Sequence, residues 1–178
     1  MSNLKEKYNK EVVPALEQKL GTTNRMLVPR LQKVVLHMAF GIVSKDEQKN
    51  LMGDLTAISG QKPKVCKAKK SISNFKLREG MVIGAKVTLC GERMWEFTER
   101  LIAAALPRIR DFHGVPNRGF DGRGNYTLGI KDHSIFPELV EASAGHSGLD
   151  ITFVTSSNDN KAAKALLEAL GMPFAGRA

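Results

Sequence analysis

Two segments of the chain alternate apolar and polar residues with a period of two, and no other feature constrains the fold as strongly. In residues 31–40 and 82–89, apolar side chains recur at every second position. The positions between them include Lys33, His37, Lys86 and Thr88. Segments of this kind form half-buried strands, with one face on the core and the other in solvent. Because antiparallel sheets tolerate one open face, the alternation predicts a mainly antiparallel sheet whose open face is basic.

Helical periodicity accounts for the N-terminal part of the chain and for the segment after residue 44. An apolar residue at every fourth position predicts a helix over residues 4–20, interrupted at Pro14 and ended by Gly21. Ser44 and Glu47 have the spacing of a capping box, which predicts the start of a second helix.

The remaining segments complete the predicted element order. Residues 92–106 and 158–170 have helical patterns, whereas residues 126–130 and 149–155 have strand patterns. Strands and helices in this irregular order predict an α+β fold, with the helices packed on one face of the sheet and an open basic face on the other side.

The positive charge of the chain is concentrated in one segment. Between Lys62 and Arg78 there are seven lysines or arginines and no acidic residue. Residues 61–90 hold eight basic residues and one acidic residue, and so supply +7 of the formal net charge of +9. A solvated basic loop is one interpretation, but charge that serves only solubility has no reason to collect in one place. Closely spaced cations around one aromatic residue, Phe75, suit the phosphates and bases of a nucleic acid.

Length and composition limit the remaining possibilities. A chain of 178 residues with 42% hydrophobic content is predicted to form one domain over residues 1–178, with protruding loops near 71–81 and 111–125. No apolar run approaches the ~20 residues that span a bilayer, so no membrane partner is expected. The N-terminus lacks the apolar segment of a signal peptide, and we expect a cytoplasmic protein. Cys66 and Cys90 have no metal-ligand spacing, so neither a metal nor another cofactor is predicted.

The reactive side chains do not suggest a catalytic set. His37, His113, His133 and His146 are scattered along the chain, and no serine or cysteine lies in a nucleophile motif. The sequence therefore predicts a protein that is not an enzyme. Two alternatives would use the same basic face: a general RNA chaperone, and an enzyme that modifies or cleaves RNA.

Short motifs distributed over the whole chain resemble one known family, bacterial large-subunit ribosomal protein five. Their order and spacing are similar to those of the family throughout. The matching stretches are residues 59–63 (Ser-Gly-Gln-Lys-Pro), 67–78, 84–89, 91–97, 107–112, 120–126 (Phe-Asp-Gly-Arg-Gly-Asn-Tyr), 135–138 and 148–151.

The resemblance implies a structural protein of the large ribosomal subunit that binds 5S ribosomal RNA and helps to attach it to the central protuberance. In the family the open sheet face contacts this RNA, and the matching positions here are His37, Gln61, Phe75 and Thr88. The basic run adds three lysines to the predicted contact, namely Lys62, Lys64 and Lys67. Large-subunit ribosomal RNA and neighbouring large-subunit proteins are further expected partners.

The resemblance also implies a contact between the loop near residues 71–81 and the elbow of P-site transfer RNA. The candidate residues are Ser71, Ser73, Asn74, Lys76, Leu77 and Arg78. In the family, the glycine-rich region after Phe112 faces a small-subunit head protein across the subunit bridge. The chain departs from the family pattern at His37, where asparagine is usual, at Cys90, where arginine is common, and in residues 139–147.

Overall fold

The structure, a computed structural model, describes residues 3–21, 24–139 and 147–175. The chain divides into two compact units. The first consists of Met1–Val34, Leu89–Leu128 and Thr152–Ala178, and the second of Val35–Thr88 and Gly129–Ile151. The expectation of one domain over residues 1–178 stays a prediction. Most of the segment 139–147, which departs from the family pattern, lies outside the described residues.

The N-terminal helical segment changes from π-helical to α-helical next to Pro14. Helix α1 (Asn3–Lys7) runs into a π-helical turn (Tyr8–Val12), and α2 (Val13–Leu20) follows with Pro14 in its first turn. Proline has no N–H to donate, so it is tolerated at the start of a helix but not within a continuous one. Gly21 ends α2 in a left-handed conformation with φ of 63°. The chain stays helical across Pro14, with Val12 and Val13 both in right-handed helical conformation, so the predicted interruption is not seen. The predicted end at Gly21 is confirmed.

Five strands form one sheet. They are β1 (Leu31–Ala39), β2 (Lys64–Lys67), β3 (Val82–Leu89), β4 (Tyr126–Ile130) and β5 (Leu149–Thr155). Their order is β2-β3-β1-β5-β4, and β2 pairs antiparallel with β3. Four strands coincide with predicted segments, whereas β2 lies inside the basic run, where the sequence predicts no strand. The α+β fold with a mainly antiparallel sheet is confirmed.

One face of the sheet is buried and the other is open. The residues of β1 and β3 on the covered face are buried: Leu36, Met38, Val87 and Leu89. The residues between them are exposed or half-buried: Lys33, His37, Lys86 and Thr88. Because successive side chains of a strand point to opposite faces, this alternation confirms an open face that carries the polar and basic positions.

Helix α3 (Lys45–Ser59) begins with the predicted capping box. The Glu47 N–H donates to the Ser44 hydroxyl at 3.2 Å, and the Ser44 N–H donates to a Glu47 carboxylate oxygen at 2.9 Å. Two N–H groups that the helix itself leaves unpaired are satisfied in this way. Leu55 and Ile58 of α3 are fully buried, as the apolar stripe predicts.

The two later helices also agree with the sequence patterns. Helix α4 (Gly91–Arg100) continues through a π-helical turn (Leu101–Ala105) into a 3-10 turn that contains Pro107. Helix α5 (Asn160–Ala169) begins at Asp159, whose carboxylate accepts a hydrogen bond from the Lys161 N–H at 3.2 Å. In the described part of the chain, no helix combines the length and the apolar character needed to cross a bilayer.

The glycine-rich segment 111–125 is held in place by hydrogen bonds within the first unit. The Val115 N–H donates to the Pro173 carbonyl at 2.8 Å, and the Val115 carbonyl accepts from the Ala175 N–H at 2.9 Å. Buried Tyr126 donates its hydroxyl to the Pro116 carbonyl at 2.8 Å. A side chain at Gly119 would collide with the ring of Tyr126, so this close approach requires glycine. The function of the segment stays a prediction.

Candidate nucleic-acid interface

Two lysines lie directly opposite each other on the open face. In the register of β2 and β3, Lys64 pairs with Lys86, and both side chains are exposed. Thr88 is exposed two residues further along the same face of β3. Like charges directly opposite each other destabilise a sheet. Lysine on an edge strand also discourages pairing with another chain, but Lys86 lies on an inner strand, where that explanation fails. A bound anion between the two ammonium groups would remove their repulsion.

Next to the lysine pair, a row of four residues crosses the open face on strands β3, β1, β5 and β4: Gly84, His37, Asp150 and Gly129. The Nε2 atom of His37 is 3.6 Å from the position that a Cβ would take at Gly84. On its other side, the Nδ1 atom of His37 lies 3.5 Å from Oδ2 of Asp150. The Oδ1 atom of Asp150 is in turn 3.6 Å from the position of a Cβ at Gly129. The imidazole and the carboxylate therefore lie between two strand positions without side chains, and the missing side chains leave space for these two groups on the face.

Gln61 and Lys62 leave α3 at a turn whose geometry is fixed by Ser59. The Ser59 hydroxyl donates to the Leu55 carbonyl at 2.6 Å and accepts from the Gln61 N–H at 3.2 Å. Gly60 provides the left-handed residue that ends the helix, with φ of 64°. Both Gln61 and Lys62 are exposed and directly precede β2. The turn therefore presents an amide and an ammonium group at the start of the edge strand.

Lys67 lies at an irregularity in the β2–β3 ladder. The register shifts between Cys66 and Lys67, so that Lys67 pairs with Val82. Beyond it the two chains stay joined, because the Ala68 N–H donates to the Met81 carbonyl at 2.8 Å. A bulge of this kind bends the strand and changes the direction of its side chains. Exposed Lys67 thus lies between the sheet and the loop that follows.

The loop of residues 71–81 is a small hairpin with a defined tip. Ile72 and Leu77 exchange two backbone hydrogen bonds, of 3.0 and 3.1 Å. Between them, Ser73–Phe75 form a 3-10 turn, and Lys76 closes it in a left-handed conformation with φ of 53°. The Ser71 hydroxyl accepts from the Glu79 N–H at 2.9 Å and joins the two arms below the tip. The tip therefore has a specified backbone, although nearly every side chain on it is exposed.

The structure separates the predicted contact residues into two groups. His37, Lys64 and Thr88 belong to the open sheet face, with Gln61, Lys62 and Lys67 at the ends of β2. Phe75 belongs instead to the loop tip, where its side chain is 68% exposed. An aromatic side chain of that exposure is available for stacking on a base.

Five of the six residues predicted to touch transfer RNA surround one shallow depression. Its volume is about 500 Å³, and its lining residues are Ser71, Ser73, Lys76, Leu77 and Arg78. The sixth, Asn74, is exposed in the 3-10 turn at the tip. The depression offers hydroxyl groups and two cations, which are donors suited to phosphate and ribose oxygens. Whether these residues contact transfer RNA stays a prediction.

Sequence reasoning missed two parts of the interface, Asp150 and the two glycines of the row. The strand pattern of residues 149–155 already places Asp150 on a polar face, and this was the available signal. Its approach to His37 depends on the order of β1 and β5 in the sheet, which local patterns do not specify.

The second unit also contains a buried histidine with an acidic partner. The Nε2 atom of His133 lies 3.3 Å from Oδ2 of Asp54, and Nδ1 lies 2.9 Å from the Ser147 carbonyl oxygen. Ser147 contacts the imidazole through its backbone, so this trio does not activate a hydroxyl as a nucleophile. His146 lies outside the described residues. Within the described ranges, no three His, Cys, Asp or Glu side chains are grouped as metal ligands would be.

The fold and the site together define an α+β protein of the nucleic-acid-binding class, in which cations are presented by an uncovered sheet face and by a basic loop. Comparison with known families narrows this class. The family model described as "Ribosomal protein L5" matches residues 24–78, and a second model, for the C-terminus of the same ribosomal protein family, matches residues 82–174. The chain belongs to the ribosomal protein L5 family.

Individual relatives support the same assignment over the full length. The proteins named "Large ribosomal subunit protein uL5" from Streptococcus pyogenes strains NZ131 and Manfredo are each 52% identical to this chain over 177 residues. The alignment covers 98% of this chain and 98% of each relative. The resemblance to the family is thus confirmed. As a member, the chain is a structural constituent of the large ribosomal subunit, and it acts in translation in the cytoplasm, where bacterial ribosomes lie.

Proposed function

We propose that the open sheet face binds 5S ribosomal RNA and that the protein helps to attach this RNA to the central protuberance of the large subunit. The observation that carries this proposal is the opposition of Lys64 and Lys86 on an uncovered face. The two ammonium groups repel each other in the free protein, and a phosphate backbone neutralises both. Release of counterions from the RNA then favours association.

Polar groups beside the cations supply the donors and acceptors that recognition requires. His37, Gln61 and Thr88 are all at least partly exposed and can each donate and accept a hydrogen bond. Such side chains suit ribose hydroxyls and base edges, whereas lysines fix the position of the backbone. The face therefore combines nonspecific attraction with groups that can discriminate one RNA from another.

The same proposal assigns two further contacts on the ribosome. The hairpin tip around Lys76 and Arg78 contacts P-site transfer RNA, and residues 111–125 face a small-subunit head protein across the subunit bridge. The depression beside Lys76 supports the first contact, because it presents cations and hydroxyls on a backbone of fixed shape. The hydrogen bonds of Val115 support the second, because a fixed loop loses little conformational entropy when a partner binds.

Salt-dependent binding tests the 5S contact. We expect simultaneous Lys62→Ala, Lys64→Ala and Lys67→Ala to weaken 5S binding and to lower the slope of log affinity against log salt by about three, roughly one per phosphate contact. The matched control replaces three exposed lysines elsewhere by alanine: Lys45, Lys49 and Lys161. An equal change in slope for both triple variants would show that net charge, and not this face, determines binding.

Two further measurements distinguish the proposal from its alternatives. Unrelated structured RNA should displace 5S RNA poorly at moderate salt, whereas a general RNA chaperone would bind both alike. The mass of 5S RNA should be unchanged after incubation with the protein, because no activated nucleophile accompanies the face. A modified or cleaved RNA would support an enzyme instead.

A further inference from the structure

The first unit contains a cavity that the proposed 5S contact does not use. Its volume is about 240 Å³. The lining residues are Tyr8, Asn9, Val13, Arg25, Met26, Val28 and Arg30. None of these described lining residues is acidic. The volume is below the ~300 Å³ at which pockets for drug-sized ligands begin, so the cavity suits one small aromatic or sugar group.

The apolar part of the cavity is rigid. Val13 and Val28 are buried, with 6% and 4% of their surface exposed. The ring of Tyr8 packs against Trp95, with 5.3 Å between the ring centroids. Its hydroxyl donates to the Pro29 carbonyl at 3.0 Å, and this hydrogen bond holds the ring in place. A ligand therefore meets a surface that does not need to be ordered on binding.

Two arginines line the polar side of this cavity. Arg25 and Arg30 are exposed, and neither has an ion-pair partner among the described residues. Burial raises the pKa of Tyr8, and the charges of Arg30 and Arg25 partly offset that rise. Two unpaired guanidinium groups that line one cavity form a site suited to a phosphate.

The turn beside the arginines holds an apolar side chain in solvent. Met26 is 86% exposed, yet its backbone is fixed, because its N–H donates to the Asn24 side-chain oxygen at 2.9 Å. Tyr8 and Asn9, which also line the cavity, belong to the π-helical turn. Turns of that kind are rare and occur frequently at functional sites. The exposed, polarisable side chain of Met26 is well suited to pack against a flat ligand.

We propose that this cavity binds a single unstacked nucleotide of large-subunit ribosomal RNA. The phosphate lies between Arg25 and Arg30. The base packs on Met26 and on the two buried valines that line the cavity. The Asn9 amide, which can both donate and accept, reaches the edge of the base. Unpaired nucleotides are the usual targets of specific RNA recognition, because their bases are free to leave the stack. The site would be a second RNA contact, independent of the 5S contact.

Binding to protein-free large-subunit ribosomal RNA, with 5S RNA omitted, tests the arginines. We expect the double variant Arg25→Ala, Arg30→Ala to lower the log–log salt slope by about two. The matched control is Arg93→Ala with Arg118→Ala, two exposed arginines of the same unit. Thermal melting checks that each variant is folded. If the control lowers the slope as much as the test variant, the cavity has no special role and the proposal is wrong.

Photochemical crosslinking identifies the occupant. A benzophenone amino acid placed at Met26 of the full chain, and assembled into large subunits, should crosslink to RNA at one unpaired nucleotide. A crosslink to protein, or none, would overturn the proposal. Adenosine and uridine monophosphates added at millimolar concentration should not reduce the RNA crosslink, whereas strong competition would indicate a site for free nucleotides. The crosslink should persist in the triple lysine variant, so failure of the 5S contact and failure of this one can be distinguished.

Discussion

The imidazole of His37 lies beside the carboxylate of Asp150, with 3.5 Å between Nδ1 and Oδ2, on the same open sheet face as Lys64 and Lys86. The two side chains are 41% and 58% exposed, so the pair is screened by solvent and adds little to stability. Its effect is geometric: the carboxylate holds the imidazole over Gly84. The proposed RNA contact therefore includes one carboxylate beside its lysines.

Two replacements of His37 should show whether 5S binding depends on its hydrogen bonding or on the imidazole ring itself. We expect His37→Asn to keep most of the 5S affinity, because an amide, like a neutral imidazole, can both donate to RNA and accept from it. His37→Ala should lose about 1 kcal/mol of binding, the usual net value of one hydrogen bond. Titrations of both variants against 5S RNA at fixed salt provide the comparison. Equal losses for the two would mean that imidazole itself is required.

Gly84 should be intolerant of any side chain. A Cβ at this position would lie 2.8 Å from the Met38 carbonyl oxygen, so β1 and β3 would have to move apart. We expect Gly84→Ala to lower the free energy of unfolding by about 1–3 kcal/mol, as overpacking does elsewhere. Gly129→Ala is the control, because its Cβ would meet Asp150 at an ordinary 3.6 Å. Chemical denaturation measures the free energy of unfolding of both variants. A similar decrease for the two would show that the close contact at Gly84 does not determine the effect.

Adjacent residues of the hairpin tip should contact different RNAs, with Phe75 on 5S RNA and Lys76 and Arg78 on transfer RNA. Phe75→Ala is expected to cost about 1–3 kcal/mol of 5S binding, the value of one stacked base. Simultaneous Lys76→Ala and Arg78→Ala should instead spare 5S binding and weaken transfer-RNA occupancy of the P site in assembled subunits. Both variants leave the Ile72–Leu77 backbone bonds intact. Loss of 5S binding in the double variant would show that the whole tip anchors 5S RNA.

Tyr126 should ionise only in strong alkali. Burial raises its pKa from 10.0 to about 12, because the phenolate would lose its hydration. The fold thus favours the neutral phenol, and this stabilisation is complete below about pH 10 and is lost as the pH rises towards 12. The free energy of unfolding should therefore fall more steeply over this range for the wild type than for Tyr126→Phe. Phenolate absorbance of the folded protein tests the premise, and ionisation of both tyrosines near pH 10 would refute it.

The buried contact between His133 and Asp54 should be important for the stability of the second unit. Removal of either side chain leaves a buried polar atom of the other without its partner. We therefore expect His133→Ala and Asp54→Ala each to lower the free energy of unfolding by about 1–3 kcal/mol. The double variant should cost less than the sum, with a coupling of at least ~0.5 kcal/mol. His113→Ala, at an exposed position, serves as the control and should stay within about 0.5 kcal/mol. Strict additivity of the two buried substitutions would show that the contact contributes nothing.

Features set by neighbouring residues were predictable from the sequence, and features set by distant ones were not. The capping box of Ser44 and Glu47 and the helix end at Gly21 depend on residues within one turn of each other. The open face also followed from local alternation, because a strand assigns every second side chain to one side.

Strand β2 could not be predicted because it depends on its partner. Its four residues, Lys64–Lys67, begin and end with lysine and have no apolar run of their own. They become a strand by pairing with β3. The same limit applies to His133 and Asp54, which are 79 residues apart in sequence and meet only in the fold. The opposition of Lys64 and Lys86 belongs to this class as well, since it needs the register of two strands.

That opposition links the lifetime of the protein to its assembly. A copy without RNA retains the repulsion between Lys64 and Lys86, whereas a copy whose lysines are neutralised by phosphate does not. Binding to the folded state alone adds its own stabilisation by mass action. Surplus copies would therefore unfold more often than assembled ones, and proteases that act on unfolded chains would remove them first. If Lys64 and Lys86 bind RNA as proposed, the same charge would also adjust the amount of protein to the amount of RNA available.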